Sequence, residues 1–197
     1  MSKQKNEQQF LFSDAEVKYQ VRSLPQVQPI WAMDCSTLKK WKASIAKHQQ
    51  EVRHGQSVQQ GELFDLLSHQ ASTYGEDIDP FSLRLHNFFF FDRDSEIGSD
   101  SCLYFVIDTV AQILLYVGQS QKVNRRWSDR HDCKRYVENY KQLHFTHGIG
   151  EAISTAFYWE VPPDTQLRQK LELSLILRWK PPFNKENWQL WSAPFVK

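Results

Sequence analysis

Cysteine is scarce. Cys35, Cys102 and Cys133 are the only three in 197 residues, odd in number and far apart, which argues against a disulfide framework and fits a reducing cytoplasm. Charge of one sign is lacking too: 24 Lys and Arg stand against 23 Asp and Glu, a formal net charge of +1. That balance excludes a histone-like or tail-driven binder of polyanions, which depends on a large global positive charge, but leaves room for a local basic patch. No apolar run approaches the ~18 to 20 residues of a membrane span. The longest, Phe88 to Phe91, is far too short, and the opening MSKQKNEQQFLF lacks the apolar stretch of a secretory signal. The expectation is a soluble cytoplasmic protein with no membrane association. No internal repeat is visible.

What is present is ordinary for a globular protein, with one excess. Hydrophobic residues make up 41% and charged residues 24%, which excludes wholesale disorder, collagen-like repeats and coiled coil. Aromatics reach 14%, with 7 Trp and 13 Phe, so the core should be rich in rings and some may line a binding surface. The length suits one domain with a substantial extension.

Along the chain, residues 1–13 are polar and Gln-rich and read as a flexible terminus. Val17 to Val21 alternates like a short strand before Pro25 and Pro29. Ser36 or Thr37 caps an expected helix with Leu38, Trp41, Ile45 and Val52 on one side and Gly55 as its stop. Its Lys39, Lys40, Lys42 and Lys47 read by default as a solvated face. A second short helix is expected over Glu62 to Ser68. His86-Asn87 and the four phenylalanines suggest a buried strand or docking segment, and Gly98 to Asp100 a turn. The boundary falls there, with an N-terminal region of unknown role over 14–98 and a main domain over 99–197.

In the main domain, Leu103 to Ile107 and Ile113 to Val117 read as an antiparallel strand pair, the second ended by Gly118. Gln119 to about Arg130 reads as a basic amphipathic helix with Val123 and Trp127 spaced by four. Lys134 to Leu143 reads as another helix, with Tyr136, Val137 and Tyr140 on its apolar side, and Ser154 to Val161 as a third strand. Pro162 and Pro163 open a last helix with Leu167, Leu171, Leu175, Ile176 and Trp179 inward, stopped by Lys180-Pro181-Pro182. The order gives an α+β fold: a small central antiparallel sheet of three strands flanked by helices, preceded by a mixed, mainly helical N-terminal extension.

The informative constellation is Cys102-Leu103-Tyr104 paired with Tyr116-Val117-Gly118. Arg126 stands eight residues past that glycine, and Glu172 lies on the last helix, before Lys180-Pro181-Pro182-Phe183-Asn184. This resembles the GIY-YIG nuclease superfamily over about residues 101–185, where two tripeptides on adjacent strands are followed by a helix with an Arg and a later helix with a Glu.

The resemblance implies a metal-dependent endonuclease that hydrolyses phosphodiester bonds in DNA, RNA remaining open as substrate. Such hydrolysis needs an activated water, shielding of phosphoryl charge and help for the leaving oxygen, so it rests on positioning and electrostatics. Tyr104 would position or deprotonate the water, with Tyr116 in the same pocket. Arg126 would clamp the phosphate through its forked donors, and Glu172 would hold one Mg²⁺ or Mn²⁺. Gly118, Lys122, Arg125, Arg130 and Asn184 are the expected substrate-binding residues.

Residue by residue, duller readings stand beside these. Either tyrosine can be an aromatic strand residue with a surface hydroxyl, Arg126 a solvated helix residue, and Glu172, set among Leu171, Leu173, Leu175 and Ile176, a carboxylate on a polar face.

Two features depart from the family pattern. Cys102 stands where the first tripeptide has Gly. The His or Tyr found about one helical turn beyond the Arg is matched only by His131, five residues on, which at ~100° per residue lies ~140° round the helix; it is the expected auxiliary acid or base if the helix ends or bends there. These departures keep open a catalytically weak or inactive nucleic-acid-binding or assembly module. His131, Cys133, His144 and His147 invite a zinc reading, but their spacing fits no common structural zinc pattern, and solvent-facing or substrate-side histidines are the plainer alternative. From Gln119 to Lys141, seven cations face three anions, a local excess of four that would draw a phosphate backbone without reading its sequence.

Overall fold

The computed structural model describes residues 33–55, 78–88, 101–120 and 132–192. They fall within one compact unit, Met33–Lys197. The readings for residues 1–32, the helix over Glu62 to Ser68, the phenylalanines 89–91, the turn at Gly98 to Asp100 and the basic stretch 121–131 lie outside the described residues.

Among the described residues four antiparallel strands form one sheet in the order β1-β4-β2-β3: β1 Leu85–Asn87, β2 Cys102–Asp108, β3 Ile113–Ser120 and β4 Ile153–Tyr158. Three strands were expected, and β1 is the addition. It is a three-residue edge strand, too short to show a period, and it exists through its pairing with β4 (Leu85 with Ala156, Asn87 with Ser154). The hairpin β2–β3 turns through Thr109 to Gln112, where Gln112 takes the left-handed conformation, φ 54°.

β3 does not stop at Gly118. The ladder continues, with Leu103 opposite Gln119 and Cys102 opposite Ser120, so the glycine is inside the strand and serves something other than termination. β3 also carries a bulge: Val106 pairs with Tyr116 but Ile107 with Leu114, leaving Leu115 as an extra residue. Consecutive Leu115 and Tyr116 therefore both pack with one buried cluster, while Leu114 and Val117 join the other. A bulge re-aims side chains in just this way.

Among the described residues four α-helices accompany the sheet: α1 Cys35–Arg53, α2 Asp132–Thr146, α3 Thr165–Trp179 and the short α4 Trp188–Trp191. One sheet face buries Cys102, Tyr104, Val106, Ile113 and Leu115 against Leu38, Trp41 and Ile45 of α1 and Tyr136, Val137, Tyr140 and Leu143 of α2. The other buries Leu103, Phe105, Ile107, Leu114 and Val117 against Leu171, Leu175, Ile176 and Trp179 of α3. Strands covered on both faces read as continuous apolar runs, as β2 and β3 do.

Asp34 caps α1, its carboxylate accepting from Thr37 N at 2.8 Å, where Ser36 or Thr37 was expected. Leu167 was expected to face inward on α3. It is 53% exposed, and Arg168 is buried in its place. Lys42, read as part of a solvated face, sits 3.1 Å from Asp108 with its side chain 11% exposed. His144, for which a solvent-facing position was an alternative, is fully buried.

Among the described residues the outer edge of β3 has no neighbouring strand, and side chains close it. The Gln49 carboxamide of α1 accepts from Leu114 N at 2.7 Å and donates to Leu114 O at 2.9 Å and Trp179 O at 3.1 Å. Phe183 N donates to Leu115 O at 2.9 Å. Asn184 accepts from Val117 N at 2.9 Å and donates to Val117 O at 2.8 Å. Two carboxamides thus stand in for a partner strand and satisfy buried backbone groups that would otherwise be costly. The bulge explains why the outward residues are 114 and then 117, not alternate positions.

Candidate active site

A cleft of about 500 Å³ opens along this edge, with Tyr116 from β3, Asp132 and Tyr136 from α2, Glu172 from α3 and Asn184 and Glu186 from the following loop among its lining residues. Three residues distant in sequence, Tyr116, Glu172 and Asn184, are thereby brought to one wall system. Each is placed by local structure. The bulge directs Tyr116; α3 presents Glu172, half-buried, next to the fully packed Leu171; and Lys180, in the left-handed conformation at φ 47°, ends α3 and turns the chain through Pro181-Pro182 to Asn184. Asn184 commits both ends of its carboxamide to Val117, so it fixes the strand beside Tyr116 and presents little of itself to the cleft.

Tyr104 lies behind this wall. It is 1% exposed, and its ring faces that of Tyr116 with centroids 5.8 Å apart. Its place explains Gly118. Tyr104 and Gly118 are paired across the ladder, and a Cβ at residue 118 would stand 2.8 Å from Tyr104 Cε1 and closer still to Cζ and the hydroxyl oxygen. No side chain fits there without displacing the tyrosine. Gly118 thus makes room for Tyr104.

Cys102, at the first tripeptide's glycine position, is fully buried in the same cluster as Tyr104, and burial pushes its thiol up to about 12. A neutral, packed thiol takes no part in nucleophilic chemistry. Cys133 is likewise buried, its thiol raised first by burial and then by Asp132.

Lys122, Arg125, Arg126, Arg130 and His131 lie outside the described residues. Sequence reasoning did not single out Asp132, Tyr136 or Glu186. Tyr136 read as the apolar side of its helix, which it is, but its ring reaches the cleft rim; burial and then Asp132 raise its pKa, so it stays a neutral phenol. The signal available in sequence was the one-turn spacing of Asp132 and Tyr136 and the adjacency of Glu186 to Asn184.

The cleft carries the carboxylates of Glu172, Asp132 and Glu186 and two phenols, with Lys185 beside them. Among the described residues no three His, Cys, Asp or Glu gather closely enough to cage a metal ion. Carboxylate oxygens are ligands of hard divalent cations rather than of structural zinc. His144 and His147 are engaged elsewhere: His147 Nε2 meets Met33 O at 2.8 Å, and His144 belongs to the Asp108 network.

The α+β sheet carries two tyrosines on adjacent strands, one set over a glycine, and a helical carboxylate lines the same cleft as Tyr116. The family model described as the GIY-YIG catalytic domain matches residues 100–187. Over that stretch, less than half of the chain, the protein is similar to the GIY-YIG catalytic domain. No curated protein and no solved structure matches the chain. Among the described residues no helix is long and apolar enough to cross a membrane.

Proposed function

We propose that this protein is an endonuclease that hydrolyses phosphodiester bonds in DNA with the help of a divalent cation. The observation that carries the reading is the convergence of Tyr116 and Glu172 on one open cleft, with Tyr104 packed against Tyr116 over Gly118. Glu172 would hold a Mg²⁺ or Mn²⁺ ion, with Asp132 and Glu186 within the same cleft. That ion, when bound, shields charge on the phosphoryl oxygens and lowers the pKa of a bound water.

The remaining work falls to the chain. Tyr116, on the cleft, would orient the attacking water, a task expected of Tyr104 from the sequence; Tyr104, 1% exposed behind it, would support that phenol by ring contact. Arg126 would clamp the scissile phosphate through its planar donors, with Lys122, Arg125 and Arg130 on neighbouring phosphates. His131 would serve as auxiliary acid or base. Asn184 would act by holding β3 still, since its carboxamide is committed to Val117.

Incubation with labelled linear, supercoiled and branched DNA and with RNA, in Mg²⁺ or Mn²⁺, tests this. The expected result is nicking or cleavage of DNA that stops on chelation and in Arg126→Ala. Binding without cleavage across all substrates would overturn it in favour of a binding module, and cleavage confined to RNA would move the substrate class.

A further inference from the structure

Arg168 is 1% exposed, and among the described residues no carboxylate forms an ion pair with it. A buried, unpaired guanidinium is expensive. Its position adds to the cost, because it sits near the start of α3, where the helix dipole is positive and disfavours cations. Burial of an ordinary apolar side chain would serve packing better. The charge is retained among neutral acceptors: Nε donates to Gln119 Oε1 at 3.0 Å, Nη1 to Pro162 O at 3.0 Å and Pro163 O at 3.3 Å, and Nη2 lies 3.4 Å from Thr165 Oγ1.

Those acceptors belong to two separate parts of the domain. Gln119 is the residue after Gly118 on β3, and the chain runs from it through Ser120 into the segment that contains Arg126. Pro162, Pro163 and Thr165 form the entrance of the helix that presents Glu172 one turn beyond Arg168. One side chain therefore bonds the strand of Tyr116 to the helix of Glu172. Only a forked, planar head with several donors reaches both at once; a lysine ammonium is a single point.

We infer that Arg168 is a positioning residue of the nuclease site, a strap that fixes the register of α3 on the end of β3 and so the placement of Glu172 relative to Tyr116. The inference rests on the nuclease reading for its effect on rate, and on the geometry alone for the strap.

Arg168→Lys, Arg168→Met, Gln119→Ala and the double variant Gln119→Ala/Arg168→Lys test both parts. Hydrogen exchange followed by mass spectrometry reads the strap whether or not DNA is cut. Arg168→Lys is expected to raise exchange at the end of β3 and in the first turn of α3 together, leaving β1 and the β2–β3 turn unchanged. Exchange unchanged at both places, or raised uniformly across the domain, would overturn the strap. Single-turnover cleavage of DNA at saturating Mg²⁺ reads the consequence. Arg168→Lys is expected to keep a cooperative melt and wild-type DNA affinity within about threefold while its cleavage rate falls about a hundredfold, with more Mg²⁺ needed for half-maximal rate. The double variant should be no slower than the worse single variant, as for residues acting through one contact. A wild-type rate in Arg168→Lys, a loss that appears in DNA affinity alone, or additive losses in the double variant would overturn the positioning role. A wild type that never cuts, with the exchange result as expected, would refute the nuclease reading and leave the strap in place.

Discussion

Two buried or half-buried carboxylates stand in different parts of this domain, and their surroundings differ in kind. Asp108, at the turn end of β2, is fully buried and saturated: it accepts from the Tyr140 hydroxyl at 2.7 Å, from Val110 N at 3.0 Å and Ala111 N at 3.2 Å, and pairs with Lys42 at 3.1 Å. Burial alone would raise its pKa, but Tyr140 and Lys42 outweigh that and hold it below its ordinary value. Lys42 also donates to His144 Nε2 at 2.8 Å, which requires the other ring nitrogen of His144 to carry the proton it gives to Tyr140 O at 2.8 Å. Glu172 instead lines an open cleft. A carboxylate closed in by donors fastens a turn to two helices; one placed on a cleft wall is positioned to meet something from outside.

Breaking the cleft side of this comparison should have the largest effect. Glu172→Ala is expected to lower single-turnover DNA cleavage by about 10³-fold while the thermal melt stays close to wild type, since the side chain is only half-buried. Tyr116→Phe should cost about 10²-fold for loss of the hydroxyl, with DNA affinity in a gel shift unchanged.

The saturated side should respond in the opposite currency. Asp108→Ala strands Lys42 and the Tyr140 hydroxyl in the core, and calorimetry should show a loss of about 3 to 5 kcal/mol, about 10 °C or more in Tm, with the cleavage rate of the folded fraction little changed. Gln49→Ala leaves Leu114 N and O without the carboxamide that closes the edge of β3, and denaturant titration should show about 1 to 3 kcal/mol.

The smallest effect is a slope with pH. Burial, assisted by Lys42, holds the His144 pKa below its ordinary 6.5, against the pull of Tyr140 O; His48 and His86 are lowered by burial in the same direction. Between the folded and unfolded pKa values the unfolded chain binds more protons, so stability rises with pH there. Stability should therefore decline as pH falls below about 6.5, and His144→Gln should flatten that decline in melts at pH 7 and pH 5. Asp108 adds no slope in this window, because its contribution is lost only as pH falls through a value below 3.8.

Much of this was legible in the sequence, for physical reasons that also mark the limits. The hairpin was legible because Leu103 to Ile107 and Ile113 to Val117 are dense in β-branched and aromatic residues either side of a polar turn. β1 was not recognised as part of the sheet, since three residues carry no period and its identity comes from pairing with β4. The bulge was hidden because Ile-Leu-Leu-Tyr-Val reads as one apolar run with or without an extra residue. Arg168 was missed because α3 is apolar on two sides, Leu173 and Leu177 being exposed, so the periodicity admitted Leu167 as an inward residue one position away. Of the residues lining the cleft, Tyr116 and Glu172 were named from the resemblance to the family's tripeptides and helical Glu, whereas Tyr136 and Asp132 emerge only once α2 is packed. Gly118 was noticed as a strand end; its real service, space for Tyr104, needed the ladder.

In the proposed function the Glu172 carboxylate acts in catalysis and not in folding. The most direct measurement is nicking of supercoiled DNA by wild type and Glu172→Gln side by side, titrated with Mg²⁺ and paired with thermal melts. The account predicts metal-dependent nicking by wild type, at least about 10²-fold slower nicking by Glu172→Gln and matching melts. Equal nicking rates in the two proteins at every Mg²⁺ concentration would contradict it.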